Sequence, residues 1–557
     1  MAYVKPDTLP WYVADFETTS IKDLEKFGKT KVWLFSICDS NCNIIKNGYS
    51  IEEFMDYIED NLCGSLIYFH NLKFDGSFIL DYLFNNGYEW KEDVFLNDSH
   101  KFTTLIDDTK VWYQMKINFK QKKQILIYDS LKLLPMSEKK LAEKFGLPIQ
   151  KGKIDYSDYT INDETIEYVN NDVKIVCLGL QALKRKGIGK MTIAGSAYAN
   201  YIDMYPNAKK MFTQLPKEFL LKWRSAYRGG RSQLNPRFKG KIINNVNRFD
   251  VNSMYPSIMR NAQLPYGDPI YTNEIGKYEF ELYDINVEFE LKEGHLPSLL
   301  KKQSKFANDD TYYINSDGIE NILISSIDFK LLEINYDIYY LEFNEIVGFK
   351  TNNFMFRKYV DYWYDLKSKE SGADKQVDKL MLNSLYGKFG SNIVGQHAIP
   401  RYDKGKICYE LSEEEERKAF YLPIAIAITS YGHKLLDDEI NVTGIENFVY
   451  CDTDSIHTTG TISKEMIDNK ILGKFKLEGI EDVSRYIKSK TYIYKAGDKY
   501  SITCAGMPDS VKEEFLKMYG DNCINEFKVG LEIGGKLRPK IVNGGTVFDE
   551  TTFRIKP

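Results

Sequence analysis

Acidic residues recur in this 557-residue chain at spacings that would let them work together. Asp15 and Glu17 stand two apart in WYVADFETTS, which reads as a strand, so both side chains project from one face. Asn71 and Asp75 are four apart where LIYFHNLKFDGSFILDYLF passes from strand through a short loop into helix. Tyr168 and Asp172 repeat that spacing on a later helix, again on one face. The carboxylates of Asp15, Glu17, Asp75 and Asp172 could hold two divalent cations. Such a pair activates a water and stabilises the leaving oxygen of a phosphodiester. Tyr168 could orient that water. A lone acidic pair on a strand is most often a solvated face; the combination from separate segments is what carries information.

A second set lies farther along. Asp250 opens DVNSMYP, and Asp452 and Asp454 lie in YCDTDS, which reads as a hairpin turn between apolar flanks. Two apart on an extended segment, Asp452 and Asp454 could face the same metal pair. Asp250 and Asp454 could bridge two Mg²⁺ ions, one lowering the pKa of a 3′-hydroxyl and one holding a triphosphate. A polar turn without a ligand is the bland alternative for DTD alone. Between these segments runs KQVDKLMLNSLYGKFG. At 100° per residue, Lys375, Lys379, Asn383 and Tyr386 fall within one arc of about 80°. Val377, Leu380, Met381 and Leu385 fall opposite, so an apolar stripe buries while ammonium groups face a ligand. Lysines in that position neutralise charge developing on a transferred phosphoryl group.

These segments need a framework of several domains, because 557 residues exceed one hydrophobic core. The first third alternates strands and helices, with ILIYDSLKLL a further strand and a helix from Asn162 to Lys184, and predicts a mixed α/β domain ending near residue 190. A strand-rich block follows from Trp223 to Pro265, then less regular chain to Thr351 with a strand in YDINVEFEL and a helix in SSIDFKLLEI. Phe354 to Phe389 reads as helical, and KGKICYELSEEEERK as a hairpin or solvated loop. Strands return around NFVYCDTDSIH, and the tail after Gly506 reads as a short helix and Gly-bearing strands.

With 43% hydrophobic and 27% charged residues the composition is that of a soluble globular protein. A net charge of −5 argues against a uniformly basic surface, so nucleic-acid binding would rest on a local, salt-sensitive groove. The eight Cys form no C-x-x-C pair and none is spaced with His for zinc, which predicts free, mostly buried thiols. The N-terminus is no signal peptide and no apolar run spans a membrane, so an intracellular, cytoplasmic protein with no membrane association is expected.

DFET, HNLKFD and YVNND resemble, in order and spacing, the three exonuclease motifs of proofreading DNA polymerases, and DVNSMYP, KLMLNSLYG and YCDTDS resemble motifs A, B and C of family B DNA polymerases. The resemblance implies a mixed α+β multidomain fold: an RNase H-like 3′-5′ exonuclease domain, then palm, fingers and thumb. It implies metals at Asp15, Glu17, Asp75 and Asp172 in one site and at Asp250, Asp454 and the Val251 carbonyl in the other, with Asp452 beside them. Mg²⁺, two per site, is the expected metal, and Mn²⁺ also suits carboxylate sites. Lys151 would assist cleavage, and Thr18, His70, Asn71, Phe74, Ser130, Leu131 and Tyr156 would hold a single-strand end. Phe74 alone reads equally well as core, and Met136 departs from the Phe of related phage enzymes. Tyr227, Gly229 and Gly230 match the Y-x-G-G element linking the two sites, and Lys490 and Tyr492 the K-x-Y element on the primer. Tyr255 matches the residue that rejects a 2′-hydroxyl, Tyr386 the one against the nascent base pair, and Lys367, Lys375, Lys379 and Asn383 the nucleotide contacts of the fingers.

MTIAGS, YRGGRSQLN, YCDTDSIH and CAGM read most like the small protein-primed phage polymerases of the phi-twenty-nine type, over nearly the whole chain. Domains are expected at 1–190 (exonuclease), 191–261 and 421–505 (palm), 262–354 (first insertion), 355–390 (fingers), 391–420 (second insertion) and 506–557 (thumb). By resemblance, a terminal protein that contacts the first insertion supplies the primer hydroxyl. The second insertion would close a ring that gives processivity and strand displacement; its acidic run LSEEEERK predicts a tip that does not grip phosphates. Template, primer and dNTPs are the other expected partners of a monomer acting in a phage-infected cell. Rival readings are a family B polymerase primed only by nucleic acid, an exonuclease whose second half merely binds DNA, and a noncatalytic replication scaffold.

Overall fold

The structure, a computed structural model, describes residues 8–556 apart from 22, 23, 25, 27, 121, 153–158 and 302–310. Tyr156 therefore lies outside the described residues. The chain opens with eight strands: β1 (Trp11–Thr18), β2 (Val32–Asp39), β3 (Ile44–Gly48), β4 (Leu66–Phe69), β5 (Glu89–Trp90), β6 (Lys101–Ile106), β7 (Trp112–Asn118) and β8 (Gln124–Asp129). They form one sheet in the order β3-β2-β1-β4-β8-β7-β6-β5. β1 and β4 pair in parallel, as do β4 and β8. Rings of Phe16, Phe35, Phe54 and Phe69 meet edge to face on one side of it. Helices α1 (Ile51–Asn61) and α2 (Leu72–Asn85) supply that side, and α3 (Glu138–Phe145) follows β8.

The other face is covered by α4 (Asp163–Arg185), which packs on β1 and β2. Its start is fixed by a capping box, in which the Asn162 side chain accepts from Thr165 N and Thr165 answers at the Asn162 N–H. Asp163 and Glu164 in the first turn and Lys184 and Arg185 in the last complement the helix dipole. Then comes α5 (Ile193–Met204).

A seven-stranded sheet, β23-β22-β21-β10-β20-β19-β9, forms the centre of the second half. Its strands are β9 (Ser232–Leu234), β10 (Ile242–Val251), β19 (Phe448–Asp452), β20 (Ser455–Thr458), β21 (Phe475–Lys488), β22 (Thr491–Ala496) and β23 (Lys499–Cys504). Directly after β10 the chain enters α6 (Met254–Asn261), so DVNSMYP is the end of a strand and the start of a helix. The first excursion from this sheet holds β11 (Leu264–Thr272), β12 (Phe280–Leu291), β13 (Glu320–Ser325), α7 (Ser326–Asn335) and β14 (Tyr336–Asn352), with sheet order β11-β14-β12-β13. The helical stretch after it is two helices, α8 (Arg357–Lys369) and α9 (Gly372–Ser384), broken at Glu370 and Ser371.

A second excursion carries β15 (Val394–Gly395), β16 (Ala398–Asp403), β17 (Lys406–Leu411) and β18 (Glu415–Glu416). Its tip is the Lys404–Gly405 turn between β16 and β17. The acidic run was expected at that tip; it instead forms the base, where Glu415 and Glu416 pair with Gly395 and Val394. The reason is pairing: register across β16 and β17 puts the turn inside KGK, with all of β17 between it and the glutamates. Tyr402 of this hairpin stacks on Phe84, with centroids 5.5 Å apart, and donates to Asp81 at 2.8 Å. The hairpin also packs on a C-terminal one, β24 (Glu532–Val542) and β25 (Gly545–Arg554), which in turn rests on α2.

One long helix, α10 (Leu422–Thr443), has no counterpart in the sequence reading. Its first two turns, LPIAIAIT, are buried on every side, so no amphipathic period marks them. After the central sheet, α11 (Asp509–Tyr519) precedes the last hairpin. All eight cysteines are free, five of them buried. Among the described residues no helix is long and apolar enough to cross a membrane.

Candidate active sites

The first acidic set converges. Asp15 and Glu17 from β1 and Asp172 from α4 each offer a ligand atom, all within 4.8 Å of one another. Asp75, buried in the first turn of α2, lines the same cavity of about 800 Å³. Asn71 adopts a left-handed conformation (φ 72°) just ahead of α2, the turn that swings Asp75 towards β1. Burial pushes the Asp15 carboxyl well up, and the Glu138, Asp75, Glu17 and Asp172 charges push further. Asp75 is raised in the same way. Asp172 is carried up to about 6 by burial and Glu138, against the pull of Lys151. One oxygen each of Asp75 and Asp172 is buried with no hydrogen-bond partner among the described residues. Buried, mutually repelling and partly unpartnered oxygen donors fit a hard divalent cation.

Lys151 donates to Asp172 at 2.6 Å and is paired with Glu138. Burial works against its ammonium, but Glu138 and Asp172 outweigh it and hold the pKa above the ordinary lysine value. Tyr168, Thr18, His70, Asn71, Phe74 and Leu131 line the cavity with these groups. Ser130 does not: its hydroxyl is fully buried, donates to Phe69 O at 3.0 Å and meets His70 Nδ1 at 2.9 Å. Ser130 thereby supports His70, whose other nitrogen meets Met136 O at 2.7 Å.

Among the lining residues that escaped the sequence reading are Glu138, Leu537 and Phe548. Glu138 opens α3 in SEKKLAEKF, a run that reads as solvated. Leu537 and Phe548 come from the C-terminal hairpin, and Phe548 stacks on Phe74 at 4.9 Å and 10°. Phe74 is thus half-buried and shared between packing and the cavity wall.

The second cavity, about 470 Å³, collects Asp250 and Val251 at the end of β10, Asp454 from the β19–β20 turn, Tyr255 of α6, and Lys367, Lys379, Asn383 and Tyr386 from the arm formed by α8, α9 and the residues just after α9. Pairing of Val251 N with Asp454 O at 2.8 Å fixes the two acidic segments side by side. Burial, then Asp454 and Glu478, push Asp250 up to about 7, against Lys379 and Lys476. Asp454 is pushed up to about 6 by burial and Asp452. Burial and the neighbouring Lys379 and Lys375 lower Lys367, which donates to Ser253 Oγ at 3.0 Å. Lys375 itself does not reach the cavity wall. Tyr255 and Tyr386 rings lie 4.3 Å apart. Gly230 sits beneath them: a Cβ there would come within 3.0 Å of Tyr255 Oη and the Thr453 side chain. Lys476 and Glu478, two apart on β21, also line this cavity and were missed, although their spacing puts both on one strand face.

Asp452 does not share this cavity with Asp454. The reading of DTD as an extended segment fails because Thr453 turns with φ 60°, which breaks the alternation of faces. Asp452 instead takes the Lys490 ammonium at 2.6 and 2.8 Å and the Tyr450 hydroxyl at 3.2 Å. Tyr492 stacks on Tyr486 at 4.8 Å beside this pair. Tyr227 packs close against Gly390, and Gly229 O bonds to His433 Nε2 at 2.6 Å.

The family model described as DNA polymerase type B, organellar and viral, matches residues 63–160 and 153–471. The chain is 35% identical to the DNA polymerases of Bacillus phage Nf and Bacillus phage phi29, over 98% of this chain and 99% of each relative. The crystal structure of Phi29 DNA polymerase superposes with a TM-score of 0.89 at 34% identity, over 98% of this chain and 100% of that one. The fold is accordingly mixed α/β and multidomain.

Crowded carboxylates in the first cavity yield a prediction. A divalent cation such as Mg²⁺ held by these carboxylates only in the folded state should raise the unfolding midpoint. Asp15→Asn should raise the midpoint measured in chelator by about 2–4 °C, the shift about 1 kcal/mol makes in a unit of 150–250 residues, and should shrink the Mg²⁺ increment. Thermal unfolding with and without Mg²⁺ checks this; an unchanged increment in the variant would contradict it.

Proposed function

The chain belongs to the type B DNA polymerases, organellar and viral, and we propose that it pairs DNA-directed synthesis with a 3′→5′ proofreading exonuclease at two separate sites. The observation that carries this reading is the pair of distinct acidic cavities, one around Asp15, Glu17, Asp75 and Asp172, the other around Asp250 and Asp454. Solved relatives are described as Phi29 DNA polymerase with primer-template DNA and incoming nucleotides, and with single-stranded DNA. The same ligands are proposed here.

In the synthetic site Asp250, Asp454 and the Val251 carbonyl would hold two divalent cations, with Mg²⁺ favoured. Bound there, the metals lower the pKa of the primer 3′-hydroxyl and take up charge on the triphosphate. Lys379, Lys367 and Asn383 face the same cavity and orient the phosphates. Tyr255 would lie against the sugar and exclude a 2′-hydroxyl, and Tyr386, its ring 4.3 Å from that of Tyr255, would back the new base pair. Lys490 and Tyr492 are proposed to track the primer strand. In the degradative site Asp15, Glu17, Asp75 and Asp172 would hold the metals, Tyr168 orients water, and Lys151 steadies Asp172. Phe74, His70, Asn71, Thr18 and Leu131 hold the frayed end, aromatic stacking being indifferent to sequence.

The domain limits proposed are exonuclease 1–190, palm 191–261 and 421–505, fingers 355–390 and thumb 506–557. The insertions at 262–354 and 391–420 are assigned to terminal-protein contact and to strand displacement. Priming from a terminal-protein hydroxyl on a linear phage genome is the proposed context. Lys404 and Lys406 at the second insertion's tip suit contact with phosphate, and Tyr402 anchors that hairpin on α2.

Asp454→Ala should lower primer extension by about 10³-fold or more while leaving degradation of single strands intact. Asp15→Ala combined with Asp75→Ala should do the reverse. Gel assays of extension and shortening separate the two; joint loss in either variant would mean one shared site or misfolding. For Tyr255→Val, ribonucleotide incorporation relative to deoxyribonucleotide should rise roughly 10–100-fold, as for removal of a steric barrier worth about 1–3 kcal/mol. Unchanged sugar discrimination would refute the gate.

A further inference from the structure

Where α4 ends, Lys186 reaches across to the two-helix arm. Its ammonium is bonded to Glu370 at the end of α8 and to Asp378 on α9, and donates to Asp374 O at 3.2 Å. Arg185 adds a more exposed pair with Asp374 at 3.2 Å. Together these grip the turn and the first two turns of α9. Asp378 is fully buried and shares its face with Val377, Met381 and Leu382. A carboxylate on an apolar face is costly unless it is paired. Burial pushes Asp378 up to about 6, against the pull of Lys186. An apolar residue at that position would pack more cheaply, so the charge contributes geometry rather than stability.

The geometry at stake is that of α9. Lys379 is the next residue after Asp378 and Asn383 follows one turn on, both on the wall of the second cavity. α9 packs against α3, α4 and α5, so its placement is set from the N-terminal side of the molecule. The same α4 carries Tyr168 and Asp172 in the first cavity. From Asp172 to Lys186 is about 21 Å of helix at 1.5 Å per residue. One rigid element therefore bears a wall of one site and the anchor of the other.

We propose that Lys186 is a positioning residue for nucleotide incorporation, clasping the α8–α9 turn so that Lys379 and Asn383 stand ready for the triphosphate. This rests on the reading of the second cavity as the nucleotide site. A clasp acts through preorganisation: without it, ordering of α9 is charged to nucleotide binding.

The test is single-nucleotide incorporation on a primer-template, with KM and kcat measured separately, alongside degradation of a single strand. Lys186→Met should raise KM for the dNTP about five-fold or more, leave kcat within about two-fold, and leave single-strand degradation unchanged. Lys186→Arg should restore most of the loss. Glu370→Gln, at a partly exposed position that does not endanger folding, should shift KM in the same direction by less. Unchanged KM in a folded Lys186→Met and in Glu370→Gln would overturn the clasp. So would a parallel fall of synthesis, degradation and unfolding midpoint in Lys186→Met with no effect of Glu370→Gln, since that is a purely structural role. Lys379→Ala is the control: if KM rises there but not in Lys186→Met, the clasp alone fails. If KM is unmoved in Lys379→Ala, the reading of the cavity fails.

Discussion

Carboxylates do not crowd into a dry pocket unless something of opposite charge makes up the difference. Both cavities of this protein are built around that unmet demand. In the first, Asp15, Glu17 and Asp172 offer oxygens within 4.8 Å of one another, and Lys151, the one ammonium on the wall among the described residues, is shared between Asp172 and Glu138. In the second, Asp250 and Asp454 repel each other with Glu478 near, and Lys379 and Lys476 offset that repulsion only in part. The rest of the fold serves to hold these groups where they repel. Parallel pairing of β1 with β4 brings DFET beside the start of α2, and backbone pairing of β10 with the β19–β20 turn brings Asp250 beside Asp454.

Much of this was legible because the chemistry is local. Asp15 and Glu17 needed only the two-residue period of a strand, and Tyr168 and Asp172 only the period of a helix. The family resemblance then set these segments side by side in a way spacing alone could not. What stayed hidden had physical reasons. Glu138 sits in a charged run indistinguishable from a solvated helix face, and only the fold turns it inward. Phe548 reaches Phe74 from the opposite end of the chain. Thr453 with φ 60° separated Asp452 from Asp454, a conformation that residue type does not announce. α10 was missed because its first two turns are apolar on all sides and have no period to read.

The two sites are not independent bodies joined by a linker. α4 borders the first cavity and, through Lys186, grips the arm that borders the second. The C-terminal hairpin does the converse, lending Leu537 and Phe548 to the first cavity. A buried His433 ties Asp328 of the first excursion to Gly229 O, next to the Gly230 that lies under Tyr255. Such shared elements suit an enzyme proposed to pass one strand end between making and breaking the same bond.

The most direct test of the two-site account is a labelled primer on a template that carries a downstream blocking strand, with Mg²⁺, followed with and without dNTPs. Two working sites require lengthening through the block when dNTPs are present and shortening when they are absent. Shortening under both conditions, with no extension from a properly folded protein, would contradict the two-site account and leave the second cavity without its proposed chemistry.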